Sequence, residues 1–386
     1  MRKILFATTA LAAFAGFSSA ANAQITVTLG GYTEFFGAIY DNSLVNGTDR
    51  EFQIESEILI KADGKADNGL LYGTKVELQN STATGMSTDE ASVYLAGFWG
   101  RVEVGDFDGA ADTLAIYAPL VGVEGIDGDY ADFISTNSVT FAGKTGTYEL
   151  GRQPWGGGGI KAPDSSDSTK IMYLTPRFAG VQAGFSYTPE NGDEAQNVVG
   201  LKNASGYSDF LEYGINYTGD FSGVTIAASA TGTSGNGKGT GTSTVAGVPA
   251  TALKNFSAWQ LGGQVGYAGF KVGGGYVDAE NYNVPVPNDS GDQHAWNAGV
   301  SYTMGPATVG LTYLEAEGFK RAPGTYADQY QAYGVSGVYT LAPGLLLQSD
   351  LMYVEEDLQR TATSTLATDK VSVDGYVWLI STRVNF

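Results

Sequence analysis

The chain has no cysteine in its 386 residues, which excludes disulfide staples and thiolate chemistry. One histidine and five methionines leave almost nothing to build a transition-metal centre. Basic residues are scarce as well. Lys and Arg total 21 against 41 Asp and Glu, a formal net charge of −20, and none falls between Arg101 and Lys144. Nucleic acid is therefore excluded as a partner, because phosphate binding needs clustered Lys and Arg. No apolar run reaches the roughly 20 residues of a membrane-spanning helix. The apolar stretch Ile4 to Phe17, preceded by Arg2 and Lys3 and followed by Ala21-Asn22-Ala23, reads instead as an export signal. Residues 1–23 are expected to be removed, leaving one domain over 24–386.

What the chain has in quantity is glycine, 54 residues, and tyrosine, 23, arranged with a period of two. Ile25, Val27, Leu29, Phe35 and Ile39 share one parity; Thr26, Thr28, Tyr32 and Glu34 share the other. Phe52, Ile54, Ile58 and Ile60 alternate with Gln53, Glu55, Glu57 and Lys61, and Tyr72, Thr74, Val76 and Leu78 with Gly73, Lys75, Glu77 and Gln79. The rhythm returns around Phe185, Tyr213, Leu261, Val300, Tyr333 and Leu351 and ends in Tyr376, Trp378, Ile380, Thr382, Val384 and Phe386. Alternation of this kind marks strands with two unlike faces.

The connections alternate too. Short ones at 64–69, 99–100, 177–180, 219–223, 268–269, 304–306 and 341–344 are separated by long polar ones. All short turns then lie at one end and all long loops at the other, the layout of a membrane-spanning antiparallel β-barrel with short periplasmic turns and long external loops. Sixteen strands are predicted. Tyr187, Tyr217, Tyr267, Tyr302, Tyr313, Tyr339 and Tyr353 fall near strand ends on the apolar parity, as interfacial girdles require. Gly184, Gly214, Gly262, Gly266 and Gly299 fall on the other and are expected to leave the lumen open.

Two motifs add a resemblance. The run Ser92-Val93-Tyr94-Leu95-Ala96-Gly97-Phe98-Trp99-Gly100-Arg101-Val102-Glu103-Val104-Gly105, followed by Asp108-Gly109-Ala110, resembles the fourth and fifth strands of Gram-negative general porins. Met172-Tyr173-Leu174-Thr175-Pro176-Arg177-Phe178-Ala179-Gly180 resembles the strand–turn–strand after their constriction loop. The resemblance extends over most of Gln24 to Phe386 and implies an outer-membrane porin whose third external loop, here about 106–168, folds into the pore. It also implies a homotrimer, with subunit contacts on the outer faces of strands one to five and the last strand. Phe386 resembles the terminal aromatic by which the outer-membrane assembly machinery recognises such chains.

An inward loop would bring Asp108, Asp112, Glu124, Asp127, Asp129 and Asp132 into the passage. On parity, the wall would carry Glu34, Glu55, Glu57, Glu77, Glu90 and Glu103 against Lys61, Lys75, Arg101 and Arg383. Acids outnumber bases, so passive diffusion of ions and small hydrophilic solutes with mild cation preference is expected. Asp127, Asp129 and Asp132 also offer oxygen ligands for a structural Ca²⁺, although no EF-hand spacing is present. No other cofactor is implied. Two competing readings stay open. One is a plugged barrel serving as an adhesin or structural protein. The other is a lipid hydrolase using His294 with Ser290 and Asp292, which lacks any Gly-x-Ser-x-Gly turn.

Overall fold

The computed structural model describes residues 25–42, 49–80, 85–123, 125–128, 130–141, 144–149, 160–192, 206–239, 252–284, 291–320, 327–359 and 370–386. The expected export signal and the glycine run at 156–159 lie outside them. The strands are β1 Thr26–Asn42, β2 Arg50–Lys65, β3 Leu71–Asn80, β4 Ser87–Gly97, β5 Gly100–Asp106, β6 Ser135–Phe141, β7 Lys144–Glu149, β8 Thr169–Leu174 and β9 Val181–Glu190. They continue as β10 Tyr207–Phe221, β11 Val224–Gly237, β12 Phe256–Tyr267, β13 Phe270–Glu280, β14 His294–Met304, β15 Ala307–Lys320, β16 Ala327–Ala342, β17 Leu345–Gln359 and β18 Lys370–Asn385. Two short helices, α1 Ala110–Leu114 and α2 Tyr130–Ile134, lie between β5 and β6.

Sixteen of these strands close into one antiparallel barrel in which β1 pairs with β18 and β5 pairs directly with β8. The remaining two, β6 and β7, form a separate hairpin inside the connection that leaves β5. The seam is finished by the last residue: Gly31 N donates to the Phe386 carbonyl at 3.1 Å, and Phe386 N donates back at 3.0 Å. At the short-turn end, Ala179-Gly180, Ser222-Gly223 and Ala268-Gly269 all have positive φ. Two such residues in sequence make the type I′ turn whose twist matches that of the strands it joins.

The alternation sorts as expected for a barrel in lipid. Ile54 is 60% exposed on the outside while its neighbour Glu55 is 6% exposed inside. Outward aromatics form a ladder near the loop end, with ring centroids of Trp259–Tyr276 at 5.4 Å, Trp296–Tyr313 at 4.8 Å and Tyr313–Tyr333 at 4.9 Å. The Tyr313 hydroxyl donates to Glu315 at 2.7 Å and that of Tyr353 to Glu355 at 2.9 Å, so each ring has an apolar body and a wet tip. Such side chains suit the boundary between lipid and water.

The lumen departs from expectation. On the half nearer the loops the inner wall of β1 and β12–β18 is largely apolar, with Phe36, Val277, Leu314, Val354 and Leu379 all buried. Against it pack Val123, Ile126, Tyr130, Phe133 and Ile160 from the 107–168 connection. Burying each of the larger side chains contributes about 1.5–3 kcal/mol. Four of the five lumen glycines, Gly184, Gly214, Gly262 and Gly299, do not leave open space but seat the connection. A Cβ on Gly262 would lie 1.6 Å from the Ile116 carbonyl oxygen, and one on Gly299 would lie 3.3 Å from the Ala118 Cβ. Gly184 and Gly214 both face Leu114. Parity alone placed these glycines inside but could not show what lies against them.

Gly262→Val should therefore push the segment at Ile116 off the wall while leaving the sixteen-stranded ladder intact. Single-channel conductance is expected to rise, with unchanged strand content by circular dichroism. Unaltered conductance would show that the glycine is not needed for seating.

Candidate pore constriction

The connection from β5 to β8 runs along the inner wall, and lumen side chains of successive strands take up its backbone groups. Helix α1 has Gly109 at its N-cap, with no side-chain cap of its own. Its first amides are bound from the wall instead. Ala110 N donates to Ser186 Oγ of β9 at 3.0 Å and Ala111 N to Glu212 Oε2 of β10 at 3.1 Å. Further along, Ile116 N donates to Ser229 Oγ of β11 at 2.8 Å and Ala118 N to Asn297 Oδ1 of β14 at 2.8 Å. Gln264 Nε2 of β12 donates to the Tyr117 carbonyl at 2.6 Å. The returning strand of the connection uses the same hands: Gln260 Oε1 accepts from Ala162 N at 2.9 Å and Glu212 Oε1 from Ser165 N at 2.9 Å. Buried backbone groups left without partners are costly, so these side chains permit irregular chain inside a barrel.

At the root of the connection Lys161 joins its two arms. Its ammonium lies 3.0 Å from Asp112 Oδ1 and 3.9 Å from Asp164 Oδ2, and both Lys161 and Asp112 are buried. Burial alone pulls the Lys161 pKa down, but Asp112, Asp164, Asp127 and Asp108 outweigh it and hold the pKa well above the ordinary value. Asp108 goes the other way for a carboxyl. Burial, reinforced by the adjacent Asp112 charge and a hydrogen bond between the two, raises it well above the usual range. Lys170 of β8 reaches the carbonyls of Phe107 and Ser166, clasping the start of the connection to its end.

The expected acids therefore sit in different places. Asp108 and Asp112 belong to the root. Asp127, at the end of a 3₁₀ turn, keeps only an edge in water, and burial pushes its pKa to about 6. Asp132, on α2, is exposed. Glu124 and Asp129 lie outside the described residues. Among the described residues no group of three His, Cys, Asp or Glu side chains is gathered for a metal ion.

The wall acids all face the lumen. Glu34 is held by Gln348 at 2.7 Å, Ser381 at 2.6 Å and Arg383 at 3.1 Å. Glu55 accepts from the Tyr32 hydroxyl at 2.6 Å. Arg101 lies 2.8 Å from Glu103, which also accepts from Ser92 at 2.6 Å. Lys75 pairs with Glu90 and lies 3.9 Å from Glu77. The guanidinium of Arg383 covers the Tyr32 ring at 3.6 Å and that of Arg101 covers Tyr94 at 3.8 Å, a stacking that keeps each base flat on the wall. The bases thus stand among the wall glutamates. Water still reaches this side, since the side chains of Lys75 and Arg101 are 25% and 37% exposed. Sequence reasoning missed Lys161, Ser186, Glu212, Ser229, Gln260 and Asn297, which read only as ordinary lumen or loop residues. His294 stacks on Tyr276 with centroids 6.3 Å apart.

A closed barrel with an apolar exterior, a charged inner wall and a chain segment folded across the lumen defines a transmembrane pore barrel. The family model described as Gram-negative porin matches residues 7–359, and the chain belongs to that family. Its place is accordingly the outer membrane, as a porin channel. Related sequences include an uncharacterized protein of Rickettsia bellii (strain RML369-C), 22% identical over 372 residues, covering 83% of this chain and 82% of that one. A porin of Rhodobacter capsulatus is 32% identical over 71 residues, 18% of this chain and 23% of that one. Among solved structures the fold is shared with an anion-selective porin from Comamonas acidovorans at TM-score 0.58 and 17% identity, covering 94% of this chain and 100% of that one. It is shared also with the trimer form of OmpT, an outer membrane protein of Vibrio cholerae, at TM-score 0.58 and 13% identity, covering 94% and 99%.

Replacing Lys161 by Met should leave buried carboxyls uncompensated and weaken seating of the connection by about 3 kcal/mol, the usual cost of breaking a buried ion pair from one side. Faster hydrogen exchange at Ile116 and Ala118 would report it; unchanged exchange would remove Lys161 from the anchoring. A second expectation concerns pH. The Asp127 pKa of about 6 exceeds the ordinary 3.8, so the folded protein binds this proton more tightly than the unfolded chain. Seating is therefore strongest below the lower value and weakens as pH rises through about 6. The protection factor of the Gly128 amide should fall over that window and stay flat in Asp127→Asn.

Proposed function

We propose that this porin passes ions and small hydrophilic solutes by passive diffusion, with a mild preference for cations. The route runs along the β1–β5 side of the lumen, past the wall glutamates. One observation carries this reading: on the inner wall of β1–β5 and β18, Glu34, Glu55, Glu57, Glu77, Glu90 and Glu103 outnumber Lys61, Lys75, Arg101 and Arg383. A low-dielectric wall focuses such an excess on a passing ion. Asp127 and Asp132 of the connection add to it from the other side. No cofactor and no catalysis enter this reading. In support, the one histidine stacks on a girdle tyrosine, and the porin family and fold point to a channel.

The protein is further proposed to work as a homotrimer. The trimeric form of the Vibrio cholerae neighbour supports this. So does the outer face of β1–β5, where Val27, Leu29, Ile54, Val93 and Val104 are exposed. Phe386, exposed at the end of β18, is the proposed recognition signal for outer-membrane assembly.

Planar-bilayer recording under a KCl gradient tests the central claim. Stepwise conductance with a cation-directed reversal potential is expected, and Glu57→Gln with Glu77→Gln should move that potential most of the way to zero. An unchanged potential in the double variant would place selectivity elsewhere. No steps from well-folded protein would overturn the diffusion channel and favour the plugged barrel.

A further inference from the structure

Below the seated connection, towards the short turns, the lumen holds a cleft of about 510 Å³. Its roof is Tyr117, Leu120 and Val121 of the connection, and its wall includes Thr225, Gln264, Lys271 and Ser301 from β11–β14. No Asp or Glu lines it, although acids outnumber bases 41 to 21 in the chain. Lys271 belongs to no ion pair among the described residues, and it is exposed. Its cross-strand neighbours are Gly266 on β12 and Ser301 on β14. One has no side chain and the other a short hydroxyl, so the ammonium has room to move and a donor beside it. Gly266 is also unlike the glycines that seat the connection: the nearest atoms to a Cβ there belong to Thr225 and the Phe270 carbonyl on the wall itself.

We propose that this cleft is a binding site for a small organic anion, specifically a monocarboxylate carrying an apolar body. The carboxylate meets Lys271 with help from Ser301, and the body lies under Tyr117 and Leu120. Charge and shape select it. An ammonium in an acid-free pocket favours an anion, while the half-buried ring of Tyr117 and the Leu120 side chain offer apolar surface that inorganic anions cannot use. The glutamate wall and the cleft then give opposite charge preferences to the two parts of one lumen. An organic anion arriving from the short-turn side binds before it meets the acids and, by filling part of the short-turn mouth that leads to them, lowers the current. The blocking effect rests on the channel reading; the site itself does not.

The test uses the full-length folded protein and two readouts. In bilayers with established conductance steps, benzoate is added to one chamber and then the other, and compared with acetate and benzylammonium. Benzoate should reduce the current from one side only, at concentrations where the other two do not. Lys271→Gln should raise the half-blocking concentration by about tenfold, the weight of one charge-assisted hydrogen bond, and Lys271→Arg should restore most of it. Lys65→Gln, at the same end of the barrel on β2, should change nothing. Independently of any current, ¹⁹F line broadening of 4-fluorobenzoate by the detergent-folded protein should be lost in Lys271→Gln. Broadening that persists in that variant, or equal block by benzylammonium, overturns the site. Broadening that is lost on schedule without any conductance would keep the site and overturn only the channel.

Discussion

A barrel can fill its own interior only if the filling chain finds partners for every backbone N–H and C=O it carries inside. That constraint governs this structure. The connection between β5 and β8 has little regular structure where it crosses β9–β14, so it cannot satisfy itself as a helix or a sheet would. The wall does it instead, with Ser186, Glu212, Ser229, Gln260, Gln264 and Asn297 acting as a broken ladder of side-chain hydrogen bonds. Glu212 serves both the outgoing and the returning arm, and so does Gln260. The course of the connection is thus fixed by the same residues that make its burial tolerable.

Apolar packing and charge divide the remaining work. Beyond β14 the connection presents Val123, Ile126, Tyr130 and Phe133 to an inner wall rich in alanine, valine and leucine, where burial and a hydrogen bond between the Tyr130 and Tyr330 hydroxyls hold it. At the root, where the two arms meet, Lys161 gathers buried carboxyls that would otherwise repel each other. The side of the lumen that stays wet is left to β1–β5, with glutamates and bases interleaved. A fixed filling on one side and a charged wall on the other are the two features on which the proposed route along β1–β5 rests.

Much of this was readable in the chain. Alternation, turn residues and the short–long rhythm of connections follow from lipid outside and water inside, and the barrel strands keep to them except where the connection covers their inner face. The wall glutamates were legible for the same reason, since parity assigns a face. What parity cannot do is say whether a lumen residue touches water or another segment. Gly262 and Gly299 looked like empty space and are contact points. Asp112 looked like a pore acid and is paired with Lys161, a partner far along the chain with no periodic relation to it. One sign was available. Near the loop end both parities turn apolar, as in Phe35-Phe36 and Val377-Trp378-Leu379-Ile380, which marks strands covered on both faces.

The mutual hydrogen bonds between Gly31 and Phe386 have a consequence for the order of events in folding. The pair that completes the seam joins the first strand to the very last residue, the longest sequence separation the ladder contains. Closing a contact of that range is slow, because its entropy is lost before its neighbours can repay it. Until β1 and β18 pair, from Tyr32 with Asn385 to Asn42 with Gly375, two strand edges with unpaired amides face a solvent in which they cannot remain. The barrel therefore closes only once β18 has reached β1, and until then the strands laid down before it stand as an open sheet waiting for their last partner.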